Sequence, residues 1–163
     1  WKEQARKPEP QREPYWISDA FIQYINNIIE AKIQRGPLIV WTSYTETGQR
    51  LARGWQQEYH GPGTPEPQGP LSFASIDVHG QGDNLQHFAQ NLMVAPVLGA
   101  SAWEQLLGRT HRQGQKADCV ENLVVFPSKT FYTKWTMALD EAEYLERTTG
   151  QRQKILFADV VYV

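Results

Sequence analysis

A chain of 163 residues is long enough for one compact domain, and its 40% hydrophobic and 21% charged content is ordinary for a globular fold. A formal net charge of −2 excludes the broadly basic surface of a stand-alone nucleic-acid binder, so any grip on DNA or RNA is local or shared with a partner. The lone Cys119 excludes an internal disulfide framework and a multi-cysteine zinc site and favours a reducing, cytoplasmic setting, and no apolar run approaches the roughly 20 residues of a membrane-spanning helix.

The chain opens on Trp1 rather than Met, so it reads as a piece of something longer. Its first residues are charged and carry Pro8, Pro10 and Pro14, the composition of a linker or extended arm over residues 1–16, with a folded domain over 17–163. A helix is predicted from Ser18, a good N-cap, with Asp19 in its first turn and Phe21, Ile25, Ile29 and Ile33 along one apolar face. Gly36-Pro37 ends it. Leu38 to Trp41 has the look of a buried parallel strand, with Thr42 to Thr45 as the loop at its C-terminal end, where open α/β sheets carry their functional groups.

A second helix is predicted over about Glu46 to Tyr59, with Leu51, Trp55 and Tyr59 on one side, and then a Gly/Pro-rich loop from His60 to Pro70. Leu71 to Val78 reads as a strand, followed by the flexible run His79-Gly80-Gln81-Gly82-Asp83-Asn84, and Leu92 to Val97 as a third strand. Ser101-Ala102-Trp103-Glu104 has the pattern of a capping box and predicts a helix to about Arg112. Glu121 to Phe126 follows as a fourth strand, Thr130 to Thr149 as a long amphipathic helix closed by Gly150, and Ile155 to Val163 as a last strand. Strands alternating with helices imply an α/β fold, a mainly parallel sheet covered on both faces.

The segment Gln105-Leu106-Leu107-Gly108-Arg109-Thr110-His111-Arg112-Gln113-Gly114-Gln115 carries the chemistry. On one continuous helix Gln105, Arg109 and Arg112 fall at i, i+4 and i+7 and share a face, while Trp103, Leu106 and Leu107 turn elsewhere to anchor it. Gly108 lies on the arginine side, where glycine costs about 1 kcal/mol relative to alanine, which suggests a close approach to the backbone. Two guanidinium groups beside such a gap suit a phosphate, which they grip through a fixed bidentate fork. A solvated basic face with an accidental glycine has the same spacing.

This segment closely resembles motif VI of superfamily 2 helicases in its Swi/Snf-type form: Gln, two residues, Gly-Arg, two residues, Arg, one residue, Gly-Gln. The resemblance implies the second RecA-like (P-loop NTPase-like) lobe of a two-lobed motor, an α/β three-layer fold. It assigns Arg109 and Arg112 as catalytic arginine fingers facing ATP on the first lobe, Arg112 as the principal one, with Gln105 and Gly108 at the same interface. Such a finger places fixed positive charge where negative charge develops on the transferred phosphoryl group. Leu38 to Ser43 resembles motif IV, and Gly80-Gln81-Gly82-Asp83-Asn84-Leu85 resembles motif V, usually Gly-x-Gly-Leu-Asn-Leu. By that likeness Thr42, Ser43, Gly80 and Gly82 approach the nucleic-acid backbone, with Arg50 as a further phosphate contact, and Asn84 lies near the nucleotide. Asp83 stands where the family has leucine, and a carboxylate beside a phosphate path is unfavourable.

The family normally places a strand and a helix between the second predicted helix and Leu71; here there is only the Gly/Pro loop, an abbreviation associated with phage or prophage helicases. ATP and Mg2+ would be held mainly by the first lobe, because no Gly-x-x-x-x-Gly-Lys-[Ser/Thr] occurs. The implied partners are that lobe and DNA or RNA, with the isolated domain monomeric and no membrane. Asp140-Glu141-Ala142-Glu143 mimics a metal-binding box but falls within a helical pattern, after motif VI, and reads as an exposed acidic helix face. His60, His79, His87 and His111 lack metal-ligand spacing, so no metal site is predicted. Trp41, Trp55 and Trp135 read as core, and Arg53, Lys116 and Lys129 as surface charges that would suit phosphate. Two other readings stay open: a non-catalytic nucleic-acid or protein interaction module with a degenerate helicase-lobe fold, and a regulatory lobe that arms a separate ATPase.

Overall fold

A computed structural model describes residues 18–157; the predicted arm at 1–16 lies outside the described residues, as do residue 17 and the last six. The first helix, α1 (Ala20–Ile33), buries Ile22, Ile25 and Ile29, the predicted face shifted slightly toward Ile22. Its cap residue is Asp19 rather than Ser18, although the Ser18 hydroxyl still accepts the Ala20 N–H at 3.1 Å. Strand β1 (Leu38–Thr42) is buried throughout, as a central parallel strand of near-continuous apolar sequence must be.

Helix α2 (Thr45–Gly54) stops five residues before its predicted end. Gly54 weakens it, and Gln56 takes a left-handed φ of 54°, which no helix continues through. The chain thus released forms the two-residue strand β2 (Tyr59–His60), so the abbreviated region keeps a strand that the sequence pattern hid. Strand β3 (Leu71–Ser75) is shorter than predicted, because residues from Ile76 fold into the single turn α3 (Ile76–His79).

Strand β4 (Gln90–Val94) begins two residues early and ends three residues early relative to its predicted span. It ends where Ala95 takes a φ of 51° ahead of Pro96, which has no N–H to continue a ladder. Helix α4 (Ala100–Thr110), strand β5 (Glu121–Val125) and helix α5 (Lys129–Thr149) complete the fold, with Gly150 closing α5 at a left-handed φ of 70°. At the start of the predicted last strand, Lys154–Phe157 instead form a 3-10 turn that buries Ile155 against α4 and α5; the rest of that prediction, residues 158–163, lies outside the described residues.

Among the described residues the sheet has five strands, all parallel, in the order β2-β3-β1-β4-β5. One face packs α1 and α2 over Leu38, Val40, Phe73, Leu92 and Val94; the other packs α3, α4, α5 and the 3-10 turn over Ile39, Trp41, Ala74 and Met93. Successive side chains of each strand point to opposite faces, so one set of five-residue runs supplies both cores. The result is the three-layer α/β arrangement that alternation predicted. Among the described residues no helix is long and apolar enough to cross a membrane.

Candidate functional site

The site gathers where α4 lies beside the loop that follows α3. Trp103, Leu106, Leu107 and Thr110 are buried and fix the helix on the sheet, leaving Gln105, Gly108 and Arg109 on its outer side. The end of α4 is held by a buried polar relay. The Asn91 carboxamide, 2% exposed, accepts the Trp41 indole N–H at 3.0 Å and donates to the Thr110 hydroxyl at 2.8 Å and to Asn122 Oδ1 at 2.9 Å. Neither Asn91 nor Thr110 was marked as functional by the sequence; a polar residue inside a buried strand is the signal that could have found them.

Helix α4 ends at Thr110, before Arg112, which corrects the expected continuous helix. His111 leaves helical geometry with ψ 78°, and Gly114 turns left-handed at φ 97°. Gln115 completes the stop: its side-chain amide donates to Thr110 O and to Phe88 O, each at 3.0 Å, and its carbonyl accepts the Ala117 N–H at 3.0 Å. A side chain thereby satisfies a helix-terminal carbonyl that would otherwise be orphaned. Arg112 therefore stands on the turn beyond the helix, and the i, i+4, i+7 face is broken between the two arginines.

The arginines also differ in what they touch. Arg109 is half-buried; its Nε donates to Gly80 O at 3.1 Å and its Nη1 to Asp83 O at 3.2 Å. The segments likened to motifs V and VI are thus joined by one guanidinium. Arg112 is exposed; its backbone carbonyl accepts the Gln115 N–H at 3.1 Å, and among the described residues its side chain makes no hydrogen bond or ion pair. Gln105 is likewise exposed. Among the described residues a Cβ added at Gly108 would meet only the Lys154 Nζ, 3.9 Å away, so none of them requires glycine there.

The loop itself is folded by carboxylates. His79, 5% exposed, hydrogen-bonds through Nδ1 to the carboxylate of Asp83, the residue that departs from the motif. Gly82 has a φ of 93° and is exposed, while Gly80 is buried. The Asn84 N–H donates to Glu66 Oε1 at 2.8 Å. Glu66, Gln68, Gly69, Asn84 and His87 line a cleft of about 260 Å³.

The other predicted contacts sit apart from this cluster. Thr42 is 1% exposed and its hydroxyl pairs with the Tyr59 hydroxyl at 3.2 Å, so its side chain faces inward. The Ser43 hydroxyl accepts the Val97 N–H at 3.3 Å, tying the ends of β1 and β4 at the point where the strand order reverses. Arg50 forms an ion pair with Asp19. Asp140, Glu141 and Glu143 lie exposed on α5, as predicted. A larger cavity of about 940 Å³ opens between α1, the start of β5 and the 3-10 turn, and none of the predicted site residues lines it. It is mixed in charge and reaches the α4 segment only at Leu107 and His111, without Arg109 or Arg112, so the α4 cluster is the better candidate despite its smaller cleft.

No known family model matches the chain, and no curated protein matches it in sequence. Solved structures do match, among them the C-terminal part of the Fun30 ATPase domain, with a TM-score of 0.60 at 12% identity. The likeness covers 78% of this chain and 48% of that one, so the chain spans about half the length of the structure it matches. The fold is the α/β fold, with an all-parallel sheet, of a RecA-like lobe. At such low identity the likeness speaks for the fold, and the roles of individual side chains rest on the geometry described above.

Proposed function

We propose that the chain is the second motor lobe of an ATP-dependent DNA or RNA helicase or translocase of Swi/Snf type, working in the cytoplasm. The observation that carries this reading is the division of labour between the two arginines. Arg112 projects freely from the turn after α4, next to a helix face left open at Gly108. Arg109 links that helix to the 80–84 loop. A finger must be free to reach a phosphate on another lobe, as the unpaired Arg112 guanidinium is; a coupling residue must touch both segments it couples, as Arg109 touches the 80–84 loop from α4. The likeness to part of an ATPase domain supports the same conclusion.

On this reading ATP is shared between lobes. Arg112 faces the γ-phosphate and stabilises the charge that develops on it, Gly108 lets the nucleotide or the first lobe approach α4, and Gln105 lies at the rim. The side chains present suit the phosphate end of ATP. Among the described residues no group of His, Cys, Asp or Glu could hold a metal ion, so Mg2+ falls to carboxylates on the first lobe. Ser43 and the Gly80–Asn84 loop would meet one nucleic-acid strand, and Arg109 would report that contact to the ATP side.

The test is nucleic-acid-stimulated ATPase of the natural chain that carries this lobe, comparing wild type with Arg112→Ala and Arg109→Ala. Arg112→Ala should lower hydrolysis by two or more orders of magnitude with ATP binding kept, since a finger supplies roughly 10³–10⁵ in rate. Arg109→Ala should chiefly abolish the stimulation. Equal rates for Arg112→Ala and wild type would overturn the motor reading. The carboxylates of Glu66 and Asp83 beside the loop favour the second reading, a non-catalytic interaction module, which would then take its place.

A further inference from the structure

Glu66 stands in an unusual place. It comes from the short segment 61–70, the piece that spans the region between β2 and β3 where a further helix is expected. That segment is rigidly held: Thr64 Oγ1 donates to Gly61 O at 2.8 Å, His60 Nδ1 donates to Pro65 O at 3.0 Å, and Ser72 Oγ donates to Gln68 O at 2.7 Å. Pro62, Pro65 and Pro67 stiffen it further. Its product is one carboxylate delivered to one backbone amide, that of Asn84.

Asn84 lies two residues after the left-handed Gly82, and backbone N–H groups around such turns are donors suited to an anion. Here the donor is already taken by a negative group. Phosphate and carboxylate oxygens compete for the same amide, and a phosphodiester brought to Asn84 would meet the Glu66 charge at near contact distance, where repulsion is strongest. None of the residues lining the cleft is a lysine or arginine that would offset this.

We infer that Glu66 is a built-in competitor for the anion position at Asn84, a gate that a nucleic-acid phosphate must displace before the 80–84 loop engages. This rests on the motor reading only for the identity of the ligand; the competition itself follows from the contact. The gate raises the threshold for engagement without touching Arg112. It also puts the coupling residue under the same control, because Arg109 holds the carbonyls of Gly80 and Asp83 in that loop.

The experiment uses Glu66→Ala and Glu66→Gln in this chain, with two probes. Inorganic pyrophosphate is titrated while the Asn84 amide resonance is followed by NMR, and a labelled DNA strand and its duplex are titrated at several salt concentrations. Pyrophosphate should shift the Asn84 amide at roughly tenfold lower concentration in Glu66→Ala than in wild type, with Glu66→Gln between them, because glutamine keeps an acceptor but loses the charge. DNA should bind tighter in the same order, with a gain that shrinks as salt rises. Glu66→Gln is near-isosteric, so it carries the test if the alanine variant fails to fold. Equal or weaker pyrophosphate response in the variants would overturn the gate and make Glu66 a brace for the loop. A pyrophosphate gain without any DNA binding would keep the gate and count against the motor reading; equal DNA and pyrophosphate binding in all three proteins would do the reverse.

Discussion

Asn91 shows how one side chain positions the functional end of α4. It serves the indole of Trp41, the hydroxyl of Thr110 and the carboxamide of Asn122 at once, in a fully buried setting. Asn91→Ala should therefore cost roughly 2–4 kcal/mol, because it leaves the Trp41 N–H without a partner as well as losing the bonds; chemical denaturation measures it. Gly108 makes the opposite case. Because a Cβ there meets nothing closer than 3.9 Å, Gly108→Ala should stabilise the isolated chain by about 0.5–1 kcal/mol, read as a rise in Tm. If the open face receives a nucleotide or another lobe, the same change should lower the ATPase of the natural chain at least severalfold. A stabilised protein with undiminished ATPase would remove Gly108 from the interface.

At the scale of elements, α4 begins differently from its sequence pattern. Ser101 lies inside the helix and exposed, and Gly99 occupies the cap position without a side chain to offer. The cap comes instead from α5, whose Glu141 carboxylate accepts the Ala100 N–H at 2.9 Å. Glu104, the expected reciprocal partner, is drawn to the 3-10 turn, where it accepts the Lys154 N–H at 2.6 Å and pairs with the Lys154 ammonium. Glu141→Ala should cost about 0.5–2 kcal/mol in thermal or denaturant unfolding, whereas Ser101→Ala should change stability by far less. The reverse ranking would restore the capping box. A local pattern failed here because a residue forty positions away in sequence offered the helix dipole a full negative charge, which a serine hydroxyl cannot match.

For the whole molecule, the sheet order β2-β3-β1-β4-β5 puts β1 between β3 and β4, with the strand ends of β1 and β4 tied by Ser43. On the proposed reading, the groups assigned to the nucleotide lie on and just beyond α4 and those assigned to the nucleic-acid strand lie at Ser43 and in the 80–84 loop, and Arg109 joins α4 to that loop. If the proposed reading holds, the lobe contributes a transition-state charge and a second lobe brings the phosphate to it. The chain by itself should accordingly show no ATP hydrolysis above buffer, measured by phosphate release with and without DNA. Activity that survives repurification and resists salt would contradict the shared-site reading.

How much of this was legible beforehand follows from the range of the forces involved. Composition and hydrophobic periodicity determined the α/β class, the central buried strand over Leu38 to Trp41 (observed to run one residue further, to Thr42), the apolar face of α1 and the long helix α5, because those depend on which residues alternate with water and with core. The spacing of Gln105 to Gln115 brought Arg109 and Arg112 to attention as a pair. What sequence could not decide was every feature set by a distant partner. Gln90 and Asn91 look like loop residues until the neighbouring strands bury and satisfy them. Tyr59-His60 become a strand only because β3 offers an edge. Arg112 leaves the helix because Gln115 folds back on Thr110, and the motif V amide meets Glu66 because an eighteen-residue excursion returns to it. Periodicity reports burial along the chain, whereas hydrogen bonds between remote polar groups exist only after the chain has closed on itself, and in this protein those bonds set the site.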